Sequence, residues 1–334
     1  MSVLYPVLIA LSALMVGCQS STMTAAKLYL KQNEPLKAKE QLLLTIEAEP
    51  ENAEAHFLLG ELYGAEGAYE EMVAQFEAAS GSVFQGKIDT SRYNYWVRAY
   101  NEGATYAQGD SIDFNRSIRG FIDATLIDPS RVDAWLQLAR MYYEAGKIKD
   151  AITTYEYAIQ QENVDIIAFS NLGALLLREE RYREAVDVFN QLIKINPSHL
   201  EGYINLAVAQ VKIEDLEGAE RNYKKAVAIA GNHWRSHAEL GFFYSQEGRH
   251  LEALPFFLKA SELDPDNQDI VFNVAVTHIK LGDLDAALPL LEQLSVRMPD
   301  NASVWRELGR IYAINGQIKQ SENAYAREQE LTEQ

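Results

Sequence analysis

WRSHAELGFFYSQEGRHLEALPFFLKASELDPDN, residues 234–267, decides the fold. Its alternation of large and small residues returns every 34 positions between Val132 and Gln334. Ala185, Ala219, Ala253 and Ala287 stand 34 apart, with Ala151 one step earlier. A second row holds Leu138, Leu172, Leu206, Leu240 and Leu308, with Val274 filling its gap. A small residue follows each member: Ala139, Gly173, Ala207, Gly241, Ala275 and Gly309. Pro197, Gly231, Pro265 and Pro299 close repeats. A fixed period of this length marks a solenoid, in which each repeat buries its apolar face against its neighbours.

Each repeat reads as two helices. In the repeat starting at Val132, Trp135, Leu138, Ala139 and Tyr142 recur at helical spacing, and Gly146 ends that helix. A second apolar face follows at Ala151, Ile152, Tyr155, Ala158 and Ile159. Small residues at repeat positions 8, 20 and 27 let two backbones approach, and large ones at 4, 11 and 24 fill the space between. Proline after the second helix stops it, because it cannot continue the hydrogen-bond ladder.

These positions resemble the tetratricopeptide repeat. His237, Leu240, Gly241, Tyr244, Ala253, Phe257, Ala260 and Pro265 occupy that motif's places in one repeat. The agreement holds in phase over six repeats, starting at 132, 166, 200, 234, 268 and 302. The resemblance implies an all-α fold, a right-handed superhelical solenoid of antiparallel helix pairs, with about nine repeats in all. Nine repeats leave no length for a separate catalytic domain, so no enzyme activity is expected. Ser321 and Glu328 replace the usual Ala in the last repeat, where a wettable outer face is expected.

The N-terminus has a different character. Val3 to Val16 is almost wholly apolar, too short to span a bilayer comfortably, and suits the core of a signal peptide. The chain's single cysteine, Cys18, follows Met15-Val16-Gly17 and precedes Gln19-Ser20-Ser21-Thr22. This junction resembles the bacterial lipobox, which implies a signal peptide over residues 1–17 and lipidation of Cys18. With no Asp after the cysteine, the resemblance further implies the periplasmic face of the outer membrane. An ordinary signal peptide or an uncleaved anchor would instead leave the protein soluble in the periplasm or held at the inner membrane. A tether is expected over 18–25, and two repeats over 26–86.

Residues 87–131 form an irregular third repeat. From Ala53 to the expected start at Arg98 is 45 residues, so 11 are extra. Asp89-Thr90-Ser91 reads as a helix start, predicting one long helix from Ser91 to Gln108, with a joint over residues 80–92. Ala104-Thr105 then stands in the Leu-Gly place. Tyr93, Trp96 and Tyr100 share one face of this helix. They read either as packing for the extra turns or as a second partner surface. Regular repeats occupy 132–334.

Composition narrows the function. With 48 acidic and 30 basic residues the net charge is -18, which argues against nucleic acid and allows basic protein segments as partners. No His-Glu-x-x-His, Gly-x-Ser-x-Gly or phosphate-loop pattern occurs, and no cofactor is expected. His233 and His237 are four apart, but two histidines without a third ligand are a weak metal signal. His237 also takes repeat position 4, a packing place.

The positions that the fold leaves unused carry the functional signal. The resemblance implies that first helices line a concave groove through positions 2, 5, 6, 9, 12 and 13. Position 6 reads Gln137, Asn171, Asn205, Glu239, Asn273 and Glu307. Asn is a poor helix former, and its amide can bond both N–H and C=O of an extended peptide. Bonding to a neighbouring helix, or a general preference of tetratricopeptide repeats for Asn at this place, is the alternative. Arg140, Arg178 and Lys212 at the groove edge would then select partners by charge. The expectation is a non-catalytic scaffold, similar to repeat lipoproteins that assist pilus or secretin assembly. An adaptor for peptidoglycan hydrolases or polysaccharide export is the alternative, and an enzyme or enzyme subunit is the competing class.

Overall fold

A computed structural model describes residues 20–109, 111–161 and 166–333. Cys18 and the apolar run before it lie outside the described residues. The chain divides after residue 165 into two compact parts. The first contains α1 (Ser21–Lys31), α2 (Pro35–Ala48), α3 (Ala53–Glu66), α4 (Tyr69–Ala78), α5 (Gln85–Tyr106), α6 (Phe114–Ile127), α7 (Val132–Glu144) and α8 (Ile148–Ala158). The second contains α9 (Ile166–Arg178), α10 (Tyr182–Ile195), α11 (Leu200–Lys212), α12 (Leu216–Ile229), α13 (Trp234–Gln246) and α14 (His250–Leu263). It continues with α15 (Gln268–Lys280), α16 (Leu284–Arg297), α17 (Ala302–Ile314) and α18 (Ile318–Thr332). All described secondary structure is helical, as the 34-residue period predicts. None of these helices is long and apolar enough to cross a membrane.

Within each part, the two helices of a repeat pack as a pair and each second helix packs on the first helix of the next repeat, except at the third repeat, where α4 packs on α6 and α3 touches α5. The pair is fixed by a Gly or Ala at position 8 beneath a ring or Leu at position 24. A Cβ on Gly173 would lie 2.5 Å from the Phe189 ring, and one on Gly241 would lie 3.0 Å from Phe257. A Cβ on Gly309 would likewise lie 3.0 Å from the Tyr325 ring, and Ala139, Ala207, Tyr155 and Tyr223 are buried at the equivalent places. The close contact is where backbone and ring exclude both water and voids.

Position 15 sets the turn inside each pair. Gly67, Gly146, Gly248, Gly282 and Gly316 all have φ between 72° and 81°. Asn33, Glu180 and Glu214 hold the same place with φ of 58°, 58° and 64°. The left-handed turn is therefore a property of the repeat, adopted even where no glycine eases it.

Position 4 links successive repeats. Trp135 Nε1 donates to the Pro129 carbonyl at 2.9 Å, and Trp305 Nε1 to the Pro299 carbonyl at 2.8 Å. His56 Nε2 lies 2.9 Å from the Pro50 carbonyl and His237 Nε2 lies 2.9 Å from that of Gly231. A carbonyl only accepts, so Nε2 carries the proton in both histidines. Farther along, Glu220 receives Arg249, Lys224 and Tyr244. Those donors, Arg249 foremost, hold its carboxyl down at about 2.

The third repeat corrects the sequence expectation. The helix expected over 91–108 starts at Gln85 and ends at Tyr106. Thr90 does not cap it; its hydroxyl donates back to the Gly86 carbonyl inside the helix, at 2.8 Å. The joint expected over residues 80–92 therefore shrinks to the stretch before Gln85. The register shifts as well. Gly103, not Thr105, takes the small-residue place, since its Cβ would meet the Phe121 ring at 2.9 Å. Tyr106 then occupies the Tyr place, and two of the 11 extra residues fall in the turn after α5.

Two further expectations change. Ser20 caps α1 through its side chain, accepting from Met23 N–H at 3.4 Å, so residues 21–25, expected to belong to the tether, are helical. Ser321 does not help to wet the last repeat. It is buried, and its hydroxyl donates to the Gly309 carbonyl at 2.9 Å. Ser117 does the same to Gly103 in the third repeat, at 2.9 Å. Glu328 stays accessible and takes Arg306 at 2.7 Å.

Candidate functional site

In the second part, α9, α11, α13, α15 and α17 are the first helices of their repeats. Their position 6 side chains recur at the same phase, as the 34-residue period requires. Asn171 is exposed, and Asn205 and Asn273 are half-buried. No side-chain hydrogen bond joins any of the three amides to another described residue. The helix-to-helix use of these Asn residues is therefore not what the structure shows. Glu239 fills the gap in the row and faces Arg235 at 3.4 Å. Arg235 reaches across one repeat to Glu201 at 3.0 Å. Beneath them, burial and the Glu239 charge push the Tyr223 phenol above its ordinary range, against the opposing pull of Arg235.

The cations expected to edge the groove, and Arg310 and Lys280 at equivalent repeat positions, are not alike. Arg140 is occupied within α7, donating to Gln137 at 3.1 Å and to Glu144 at 3.0 Å. Gln137 and Arg140 thus bond each other, in the first part of the chain. Arg310 lies 3.6 Å from Glu307. Arg178 is exposed at the end of α9 and is engaged in an interaction of its own. Lys212 and Lys280 are exposed and make no ion pair among the described residues.

Sequence reasoning missed a recess on this same face. A cavity of about 260 Å³ opens between α13 and α15. Trp234, Ala238, Phe242 and Ile270 supply its apolar lining, and Asp269 and Asn273 stand at its polar edge. Phe242 is 49% exposed, a large ring left uncovered. The available signal was Phe at position 9, where the motif needs no large residue.

The aromatic helix α5 is mostly interior. Trp96 is buried and stacks on Tyr100 at 4.9 Å, and Tyr100 meets Phe121 edge-on at 5.4 Å. Tyr93 is exposed, with the Arg131 guanidinium 4.9 Å from its ring and 4.6 Å from that of Trp96. The three residues do not form one open platform. His237 is buried with Nε2 committed to Gly231, and His233 Nδ1 lies 3.2 Å from Ser236 Oγ. Among the described residues no group of three or more His, Cys, Asp or Glu could hold a metal ion.

The family model described as the cilia and flagella-associated protein 70 C-terminal domain matches residues 98–333. A tetratricopeptide repeat model matches residues 23–82. The human protein O-mannosyl-transferase TMTC3 is 27% identical over 177 residues, which is 53% of this chain and 17% of that protein. The BBSome complex member BBS4 of Bos taurus is 25% identical over 200 residues, 60% of this chain and 38% of that protein. The chain thus spans well under half the length of these curated relatives. The solved structure of Pseudomonas aeruginosa pilF superimposes with a TM-score of 0.52 at 18% identity, covering 66% of this chain and 99% of that one. At that identity the likeness shows the fold alone.

Proposed function

We propose, for a chain that belongs to the tetratricopeptide repeat family described by the cilia and flagella-associated protein 70 C-terminal domain, the role of a non-catalytic protein-binding scaffold. Its second part holds an extended partner segment along the first-helix face. One observation carries this: Asn171, Asn205 and Asn273 repeat at equivalent places with amides that bond no other described residue. Asn is disfavoured in helix interiors, and an unbonded amide on an accessible face is a ready pair of donor and acceptor for a peptide backbone. Backbone pairing tolerates varied side chains, so the flanking groups set the choice of partner. Exposed Lys212 and the end of α9 at Arg178 belong to that edge.

The scaffold works in the bacterial envelope, anchored at the periplasmic face of the outer membrane through lipid on Cys18. Support comes from the apolar run Val3–Val16, the lone cysteine at its end and the polar residues after it. Two or more acyl chains would anchor stably, where one would be marginal. Assembly of a pilus or secretin is the proposed setting, on the resemblance to repeat lipoproteins that serve it.

Two results test this in the producing cell. Cys18→Ser is expected to move the protein from the membrane fraction to the soluble periplasm; a wild type that already fractionates as soluble would refute the anchor. A photocrosslinking residue at position 205 is expected to trap one partner protein through a single extended segment. Traps obtained only from the α5 surface would refute the groove.

A further inference from the structure

The recess between α13 and α15 has a chemistry of its own, and we infer that it receives a large apolar side chain of the partner segment with a lysine or arginine beside it. The inference rests on the groove proposed above and names the partner that its middle section selects.

Size comes first. About 260 Å³ lies below the roughly 300–1,000 Å³ of small-molecule sites. It suits one side chain entering from an extended backbone. Trp234, Ala238, Phe242 and Ile270 form the apolar part of the lining, and Arg235, Glu239, Asn267, Asp269 and Asn273 complete it. Phe242 is 49% exposed in the middle of an otherwise regular helix. Aromatic residues placed this way are the usual anchors of protein interfaces.

Unused polar groups converge at the same place. The Trp234 indole N–H makes no hydrogen bond to a described residue, unlike those of Trp135 and Trp305, which reach the preceding turn. The Asn273 amide likewise bonds no described residue. Two free backbone-seeking groups therefore flank the apolar space.

Charge decides the neighbour of the apolar residue. Arg235 is neutralised by Glu201 and Glu239, at 3.0 and 3.4 Å. Asp269 stands at the mouth of the recess, exposed and without an ion pair among the described residues. The locality holds three carboxylates against one guanidinium. A carboxylate beside the recess would repel an acidic segment and attract a basic one. The exposed face of Phe242 adds an attraction for a cation of the partner.

Panning a random phage-displayed peptide library on the full chain tests the inference. Enriched peptides are expected to share an aromatic or large aliphatic residue within two positions of Lys or Arg. A synthetic copy of the leading peptide is expected to lose about 30-fold in affinity with Phe242→Ala, the size of a central anchor. Panning on Asp269→Lys is expected to exchange the basic flank for an acidic one. Enriched peptides without the pattern, an unchanged flank, or a library that yields no binder would overturn the inference. So would unchanged affinity with Phe242→Ala. If that last peptide still loses affinity with Asn171→Ala and Asn205→Ala together, the groove stands and only the recess falls. If it keeps its affinity there too, both fall.

Discussion

Gly173→Leu is expected to destabilise the second part of the chain by about 1 to 3 kcal/mol, the range for overpacking a tight core. At position 173 even a methyl group would sit 2.5 Å from the Phe189 ring, inside the distance that real Cβ contacts keep. Leucine adds three more carbons to a space that holds none. The ring cannot swing away freely, because Phe189 is fully buried. For a part of this size the cost corresponds to a melting temperature lower by roughly 2 to 12 °C. Damage in a solenoid reaches neighbouring repeats first, so α9 and α10 should lose hydrogen-exchange protection before α17 and α18. Gly86→Leu is the contrast. Gly86 lies in α5 with nothing near its Cβ, so leucine there should hold or raise stability through its better helix propensity. Equal melting curves for wild type and Gly173→Leu would show that ring and backbone do not meet at this place.

The same contact explains what the sequence made legible. Positions 8, 20 and 24 are fixed by steric fit, so their residue types recur and reveal period, phase and helix pairing. The third repeat hid its phase because no Leu-Gly pair marks it. Glu102-Gly103 does that job, with Phe121 18 residues on in place of the usual 16. The start of α5 was concealed by Asp89-Thr90-Ser91, whose residue types suit a cap but whose threonine serves the helix interior. Glu180 and Glu214 gave no sign of a left-handed turn, because packing of the flanking helices imposes it. Ser321 looked like a polar surface residue, and only the Gly309 carbonyl beside it shows why the core accepts it.

The candidate site was legible in the same uneven way. Phase alone placed the Asn row on the first helices, at positions the core does not need. It could not show which charges were already paired. Arg140 was expected to select partners by charge, yet it is tied by Gln137 and Glu144 close by. The recess was not legible, because it depends on α13 and α15 together. Trp96 read either as packing or as a partner surface, and its cover by Tyr100 and Arg131 makes it packing.

The largest functional effect is expected from Asn171→Ala, Asn205→Ala and Asn273→Ala combined. A neutral hydrogen bond contributes about 0.5 to 1.5 kcal/mol net. Three lost together should weaken partner binding by roughly tenfold to a thousandfold, and one alone by only a few-fold. Stability should move little or upward, because alanine is the better helix former and these amides hold no other described residue. This combination of weaker binding with an unimpaired fold separates a binding row from a structural one. Side chains that knit helices together would lose melting temperature along with affinity.

The scaffold role stands on a partner backbone lying along these amides. Isothermal titration calorimetry with the partner trapped from position 205 measures it most directly. The triple variant is predicted to bind at least about tenfold more weakly than wild type, with the same stoichiometry and an unlowered melting temperature. Wild-type affinity in the triple variant would contradict the claim and place the binding surface elsewhere on the chain.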